Sequence, residues 1–221
     1  MKTLALFDLD NTLLTGDSDH AWGNFLAEIG AVDSEKQIQM QDYFYQQYLN
    51  GELDIYEFTD FQFTPLKENT LEQLTEWRSQ YIESYILPLV TQARLDLVKD
   101  HQNKGHETII ITATNSFITQ PIAEIFNINN LIATEPEQNL HGFTGKLYGT
   151  PCFQEGKIKR LNDFIRDKHS NDLSMNDFET WFYSDSINDL PLMKAVNHPI
   201  AVTPDDKLRI FSIENKWKII E

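Results

Sequence analysis

Four short runs of β-branched and aromatic residues, at 3–8, 107–112, 130–134 and 179–185, constrain the fold of this chain more than any other feature. Three of them end in polar residues, and 198–202 makes a fifth run. Nearly continuous apolar content with a polar C-terminal end is what a strand buried on both faces of a parallel sheet requires. Helical periodicity separates the runs, over roughly 89–104, 117–127, 155–168 and 189–196. Strand alternating with helix predicts an α/β fold with a doubly wound parallel sheet, whose ligands bind beyond the carboxyl ends of the strands.

The stretch 15–88 breaks that alternation. Trp22, Phe25, Leu26 and Ile29 recur at three- and four-residue spacing, as do Phe44, Tyr45, Tyr48 and Leu49, then Leu71, Leu74, Trp77, Tyr81 and Tyr85. So long a run of helices cannot be an ordinary crossover. It predicts a helical cap domain at 15–88 inserted into an α/β core formed by 1–14 and 89–221. The chain has 221 residues, between one and two domains at roughly 150 residues each, which suits a core with an insertion. Residues 141–149, with glycines at 142, 145 and 149, predict a small β-hairpin flap.

The formal net charge is −16, from 34 acidic and 18 basic side chains. That balance argues against nucleic acid or an anionic membrane as partner, since phosphate backbones demand clustered Lys and Arg. Cys152 is the single cysteine, so no internal disulfide forms and a reducing compartment is expected. The first residues are interrupted by Asp8 and Asp10 where a secretory core would continue. No run of about 20 apolar residues occurs, and a cytoplasmic protein is expected.

The polar strand ends carry the chemistry. The first run closes on Asp8-Leu9-Asp10-Asn11-Thr12, where residues two apart in extended chain face one side. A turn with solvated aspartates is the competing reading, while an EF-hand loop is excluded because Leu13 stands where its glycine must be. Thr112-Ala113-Thr114-Asn115 precedes a helix, and a hydroxyl with free backbone N–H groups there suits a phosphate, though Thr and Asn also start helices routinely. Pro121 is expected in or near the first turn of that helix. Lys157 follows Gly156 at the start of another helix, with Lys159 and Arg160 close enough for an ordinary solvated basic cluster. Ser184-Asp185-Ser186-Ile187-Asn188-Asp189 adds two more carboxylates. Packed carboxylates repel and raise one another's pKa unless a cation sits among them, and hard oxygens with few protein ligands suit Mg²⁺.

Asp8 to Thr12, Thr112, Lys157 and Asp185 to Asp189 together resemble the four motifs of the haloacid dehalogenase superfamily of phosphatases. The resemblance spans the whole chain and is closest to the phosphoserine phosphatase-like branch, with its helical cap after the first motif and its hairpin before the lysine. Residues 16–23 and 112–117 are similar to a bacterial group with histidinol-phosphatase activity. The chain departs from the branch in Ser184-Asp185-Ser186, where G-D-G is frequent, and in Thr112-Ala113-Thr114, where S-G-G is frequent. Both departures keep the carboxylates and the hydroxyl, and bear on substrate preference.

The resemblance implies Asp8 as nucleophile, forming an aspartyl-phosphate, and Asp10 as general acid and base. It implies Mg²⁺ on Asp8, the Asp10 carbonyl and Asp185, with Asp189 in support, and Thr112, Ala113 and Lys157 on the phosphate. Asp17 falls where the family's amine-binding acid is expected, beside Asp19 and His20; capping of the first cap helix is the competing role. Residues 17–66 hold ten carboxylates and one basic side chain, Lys36, so the arginine that a phosphoserine carboxylate would need is missing there. Lys67 and Arg78 come later. The expectation is a small amine-bearing phosphometabolite, foremost histidinol phosphate, with phosphoserine and then phosphoethanolamine-type substrates behind it. A phospho-acceptor signalling receiver is the alternative of another class. Monomer and homodimer stay open.

Overall fold

The computed structural model describes residues 2–221. Its strands are β1 (Thr3–Phe7), β2 (Glu107–Asn115), β3 (Asn130–Asn139), β4 (Gly142–Tyr148), β5 (Glu179–Ser184), β6 (His198–Val202) and β7 (Lys218–Ile220). Four helices follow β1: α1 (Ser18–Glu28), α2 (Ser34–Asn50), α3 (Ile55–Glu68) and α4 (Leu71–Tyr81). Then come α5 (Gln92–Asn103), α6 (Ser116–Ile125), α7 (Glu155–Lys168), α8 (Leu190–Ala195) and α9 (Asp206–Glu214).

The strands form one sheet in the order β4-β3-β2-β1-β5-β6-β7. Every pairing is parallel except β3 with β4, which is antiparallel. The chain winds outward from β1 to β2 and β3, then crosses back to add β5, β6 and β7 on the other side. The order therefore reverses at β1, and the crevice at its carboxyl end is the natural ligand site of such a sheet.

Alternation along the strands explains burial on both faces. Ala5, Phe7, Ile110, Tyr183, Ile200 and Val202 pack on one side, in a cluster that also takes in Trp22, Phe25, Leu74, Tyr81 and Val98. Leu4, Leu6, Ile109, Ile111, Phe182 and Ala201 pack on the other, with Leu161, Ile165, Leu192 and Leu208. A single hydrophobic cluster thus runs from α1 and α4 into the sheet.

The chain enters and leaves the helical segment side by side. Leu14 bridges Val90, and the Thr15 N–H donates to the Leu89 carbonyl at 3.0 Å. The expected hairpin is the outer part of β3 folded against β4, a strand that leaves the parallel sheet after a register shift. α3 lies close over it: a Cβ at Gly145 would stand 2.8 Å from Lys67 Cδ, and its φ of +81° also favours glycine.

Three local expectations need correction. β2 runs on to Asn115 rather than stopping at Thr112, while α6 begins at Ser116, one residue from the expected start. Pro121 lies inside α6, not in its first turn. The carbonyl it leaves without an N–H, that of Phe117, accepts instead from Arg78 Nη1 at 2.6 Å. α9 and β7 were not anticipated at all. No helix among the described residues is long and apolar enough to cross a membrane.

Candidate active site

β1 stops at Phe7 and the next turn aims two carboxylates into the crevice. The Asp8 N–H donates to the Tyr183 carbonyl at 2.9 Å, extending the sheet by one rung. The Leu9 carbonyl then accepts from the N–H groups of Leu13 and Leu14 at 2.9 and 3.0 Å, which curls the chain. Asn11 takes φ +54° at that curl, a conformation asparagine tolerates better than most residues. Leu9 points into the core, while Asp8 and Asp10 both line the pocket.

Lys157 arrives from α7. A Cβ at Gly156 would stand 2.2 Å from the Pro151 carbonyl oxygen, so only glycine permits the approach that starts this helix. Lys157 is buried, with Nζ 2.8 Å from Asp8 Oδ1 and 2.6 Å from Asp189 Oδ1. Asp189 also accepts from the Ser184 hydroxyl at 2.7 Å. Burial pulls the ammonium's pKa down, but Asp189 and Asp8 outweigh it and hold the pKa above the ordinary lysine value. This lysine is an ion-paired pocket residue, not part of a solvated cluster with Lys159 and Arg160.

The carboxylates respond in the opposite sense. Burial raises Asp8 to about 7 against the pull of Lys157, with Asp189 and Asp10 adding to the rise. Asp10 reaches about 6, by burial first and then Asp17, while Ser18 and Thr114 hold it down. Its Oδ1 accepts the Ser18 N–H at 2.6 Å and its Oδ2 the Thr114 hydroxyl at 2.7 Å. Asp185 is raised well above the usual range by burial, then by Asp8 and Asp189; its Oδ1 accepts from Thr12 at 3.0 Å.

Thr112, Ala113 and Thr114 line the pocket from the end of β2. The Thr112 oxygen accepts the Thr114 N–H at 3.1 Å, leaving its O–H free to donate. The N-terminus of α6 lies outside the pocket lining, and Asn115 caps it by accepting from the Ile118 N–H.

The opposite wall comes from the inserted helices. Gln41, Phe44, Tyr45 and Tyr48 of α2 line the pocket at three- and four-residue spacing, and Ile55, Phe58 and Gln62 of α3 do the same. None of these was singled out as a site residue from sequence; Phe44, Tyr45 and Tyr48 carried only a packing signal. Asp17, Asp19 and His20 also line the pocket. Asp17 caps α1, accepting from the N–H groups of Asp19 and His20 at 2.9 Å, so the competing role is realised. Asp19 is buried, its carboxylate without a hydrogen-bond partner among the described residues and pushed well up by burial, then Asp17 and Asp10. Exposed His20 pairs its Nδ1 with Asn24 at 3.1 Å. Lys157 is the single Lys or Arg among the described residues lining the pocket.

A family model for haloacid dehalogenase-like hydrolases matches residues 5–194. The chain belongs to this family. A histidinol-phosphatase of Neisseria meningitidis serogroup C (strain 8013) is 42% identical over 221 residues, covering 100% of this chain and 99% of that one. This haloacid dehalogenase-like chain is accordingly a phosphatase. The crystal structure of a protein with unknown function from Bordetella pertussis Tohama I superposes with a TM-score of 0.92 at 39% identity, covering 100% and 99% of the two chains. A phospho-aspartyl intermediate analogue of phosphoserine phosphatase shares the fold, with a TM-score of 0.68 at 18% identity over 99% of this chain and 92% of that one.

The donor set of this haloacid dehalogenase-like site fits a hard divalent cation. Among the described residues no three His, Cys, Asp or Glu side chains converge into a ready cage. Magnesium does not need one: it keeps several waters and takes one or two carboxylates. Among the described residues Oδ2 of Asp8 and Oδ2 of Asp185 have no hydrogen-bond partner, whereas both oxygens of Asp189 lie against Lys157. Asp8 raises the pKa of Asp185, and Asp189 raises both, the signature of negative charge short of a counter-ion.

Proposed function

We propose that this phosphatase is a Mg²⁺-dependent phosphomonoester hydrolase that works through an aspartyl-phosphate on a small amine-bearing phosphometabolite, foremost histidinol phosphate. The observation that carries the reading is the charge of the pocket wall. Asp17 and Asp19 face it among aromatic side chains, and the single Lys or Arg lining it among the described residues, Lys157, is already held by Asp8 and Asp189. An ammonium-bearing leaving group fits such a wall, and a carboxylate-bearing one does not. The late cap arginine, Arg78, is engaged with the Phe117 carbonyl and ring. The name of the Neisseria relative points the same way.

In this reading an Asp8 oxygen attacks phosphorus in line as the ester bond breaks, and Asp10 gives its proton to the departing alkoxide. A pKa near 6 leaves Asp10 able to donate that proton and then to take one from the water that hydrolyses the acyl phosphate. The Ser18 N–H and Thr114 hydroxyl fix its orientation throughout. Thr112, Ala113 and Lys157 hold the non-bridging oxygens, and Asp189 with Ser184 positions Lys157. Asp8, Asp185 and the Asp10 carbonyl would hold Mg²⁺, which when bound supplies charge that keeps Asp8 ionised and offsets the phosphate dianion. The helices of 15–88 act as a cap that selects the leaving group.

The test is a side-by-side assay of histidinol phosphate, phosphoserine and phosphoethanolamine with Mg²⁺ and with EDTA. Histidinol phosphate should give the highest kcat/KM, and EDTA should abolish turnover of all three. Preference for phosphoserine would refute the charge argument, and turnover undiminished by EDTA would refute the metal.

A further inference from the structure

Two buried polar side chains on the pocket wall have no partner, and they come from different helices. Asp19 and Gln62 are each 7% exposed. Neither the carboxylate nor the amide makes a hydrogen bond among the described residues. Neither has a polar atom sealed from solvent, so both turn their polar ends to the pocket they line. Of the other polar side chains of the wall, Asp17 caps α1, Gln41 donates to the His20 carbonyl at 2.9 Å, Tyr48 donates to Ser186 at 2.6 Å, and Tyr45 is exposed. Buried polar groups are almost always satisfied, and one that is not calls for a ligand or a water to complete it.

The setting of Gln62 narrows the ligand. It shares one face of α3 with Ile55 and Phe58, and Phe44 of α2 packs against Phe58 with ring centroids 5.2 Å apart. The amide therefore ends an apolar, aromatic wall. It offers two donors and an acceptor without charge. A neutral heteroaromatic ring bearing both N–H and bare nitrogen matches that combination, its face on the aromatic side chains and its edge on the amide. Asp19 offers full charge and no donor, which suits an ammonium.

We infer that Gln62 is a specificity-determining residue that reads a neutral nitrogen heterocycle on the leaving group, while Asp19 binds the ammonium of the same substrate. The inference rests on the amine-bearing phosphate reading above and assigns each half of the leaving group to its own side chain.

The test compares wild type with Gln62→Leu, Gln62→Met and Asp19→Asn on three phosphomonoesters: histidinol phosphate, phosphoethanolamine and 4-nitrophenyl phosphate. Both Gln62 variants should lower the kcat/KM ratio of histidinol phosphate to phosphoethanolamine by about tenfold, since a site built to hydrogen-bond one group discriminates through it. Asp19→Asn should lower both amine substrates relative to 4-nitrophenyl phosphate by about tenfold. A purely structural role moves all three substrates together and leaves the ratios fixed, which would overturn the assignment. Calorimetric binding of the free alcohol histidinol separates this inference from the function it rests on. Affinity that drops in the Gln62 variants upholds the subsite even if wild type hydrolyses another phosphate better. Unchanged histidinol affinity and unchanged ratios, in a wild type that prefers histidinol phosphate, would remove the subsite and leave the function standing.

Discussion

The phenolic hydroxyl of Tyr48 donates to the Ser186 hydroxyl at 2.6 Å, tying α2 to the loop that carries Asp185 and Asp189. Asn188 Nδ2 donates to the Tyr48 carbonyl at 3.1 Å, and Lys207 Nζ to the Leu49 carbonyl at 2.7 Å, so the whole end of α2 is pinned there. Ser186 stands where the related branch often has glycine, and its hydroxyl makes the tie available. Tyr48→Phe should cost about 1 kcal/mol of stability, the worth of one hydrogen bond. KM should rise several-fold with a smaller change in kcat, because the wall is loosened while the reacting groups stay in place. Steady-state kinetics check this, and an unchanged KM would count against the tie.

Lys157→Ala leaves Asp8 and Asp189 buried with no cation between them. Removing one partner of a buried ion pair costs roughly 3–5 kcal/mol. Urea unfolding in metal-free buffer should register that loss, and turnover should fall with it. A variant within about 1 kcal/mol of wild type would show that the pair is not the stabilising contact the geometry describes.

Arg78→Met takes the donor from the Phe117 carbonyl that Pro121 cannot serve. An orphaned buried acceptor costs about 1–3 kcal/mol. Pro121→Ala restores a backbone N–H for that carbonyl, so the double variant should recover most of the loss that Arg78→Met suffers alone. A double-mutant cycle measures the coupling directly, and strict additivity would dismiss the compensation.

His101 links stability to pH. Its Nε2 lies 2.8 Å from the Tyr183 hydroxyl and its Nδ1 2.8 Å from His106 Nδ1. Burial, then His106 and Lys104, lower its pKa to about 4, against Asp100. The unfolded chain, with a histidine pKa near 6.5, binds the proton first, so the His101 contribution is complete above about pH 6.5, falls as pH drops towards 4, and levels off below. The loss is on the order of 1–2 kcal/mol after allowance for solvent screening. Unfolding midpoints at pH 7.5 and 5 should differ less in His101→Asn than in wild type, and equal slopes would reject the link.

Gly156→Ala drives a methyl group into the Pro151 carbonyl, which sits 2.2 Å from the required position. The first turn of α7 must move and Lys157 with it. Activity should drop by at least about tenfold, since small misplacements of positioning groups are costly. Gly105→Ala, exposed and far from the site but strained by its φ of +72°, should cost stability without changing kcat, which separates general destabilisation from displacement of Lys157.

The chemistry was legible because it sits where apolar runs stop. Asp8 and Asp185 follow β1 and β5 directly, and α7 has the bounds that periodicity assigned, with Lys157 in its first turn. The helical wall of the pocket was not legible. Phe44, Phe58 and Gln62 follow the same three- and four-residue spacing as side chains that pack into a core, and only the placement of α2 against α3 turns that face towards a cavity. α9 was missed because Ile210 and Ile213 face outward and blur its apolar stripe. β7 is an edge strand of three residues, too short for alternation to register. Asp17 and Asp19 looked alike in sequence; their roles part because a cap needs its side chain turned onto the first N–H groups of α1.

The cluster that runs from Trp22 and Tyr81 to Phe7 and Ile110 sets what this enzyme can become. α1 and α4 are committed to the sheet, so exchanging their inward residues would disturb β1 directly beneath Asp8. On the pocket side of α2 and α3, Tyr45, Ile55 and Gln62 lie outside both core clusters. Under the proposed function, a lineage of such chains can exchange one leaving group for another at a few outer positions without disturbing β1 beneath Asp8.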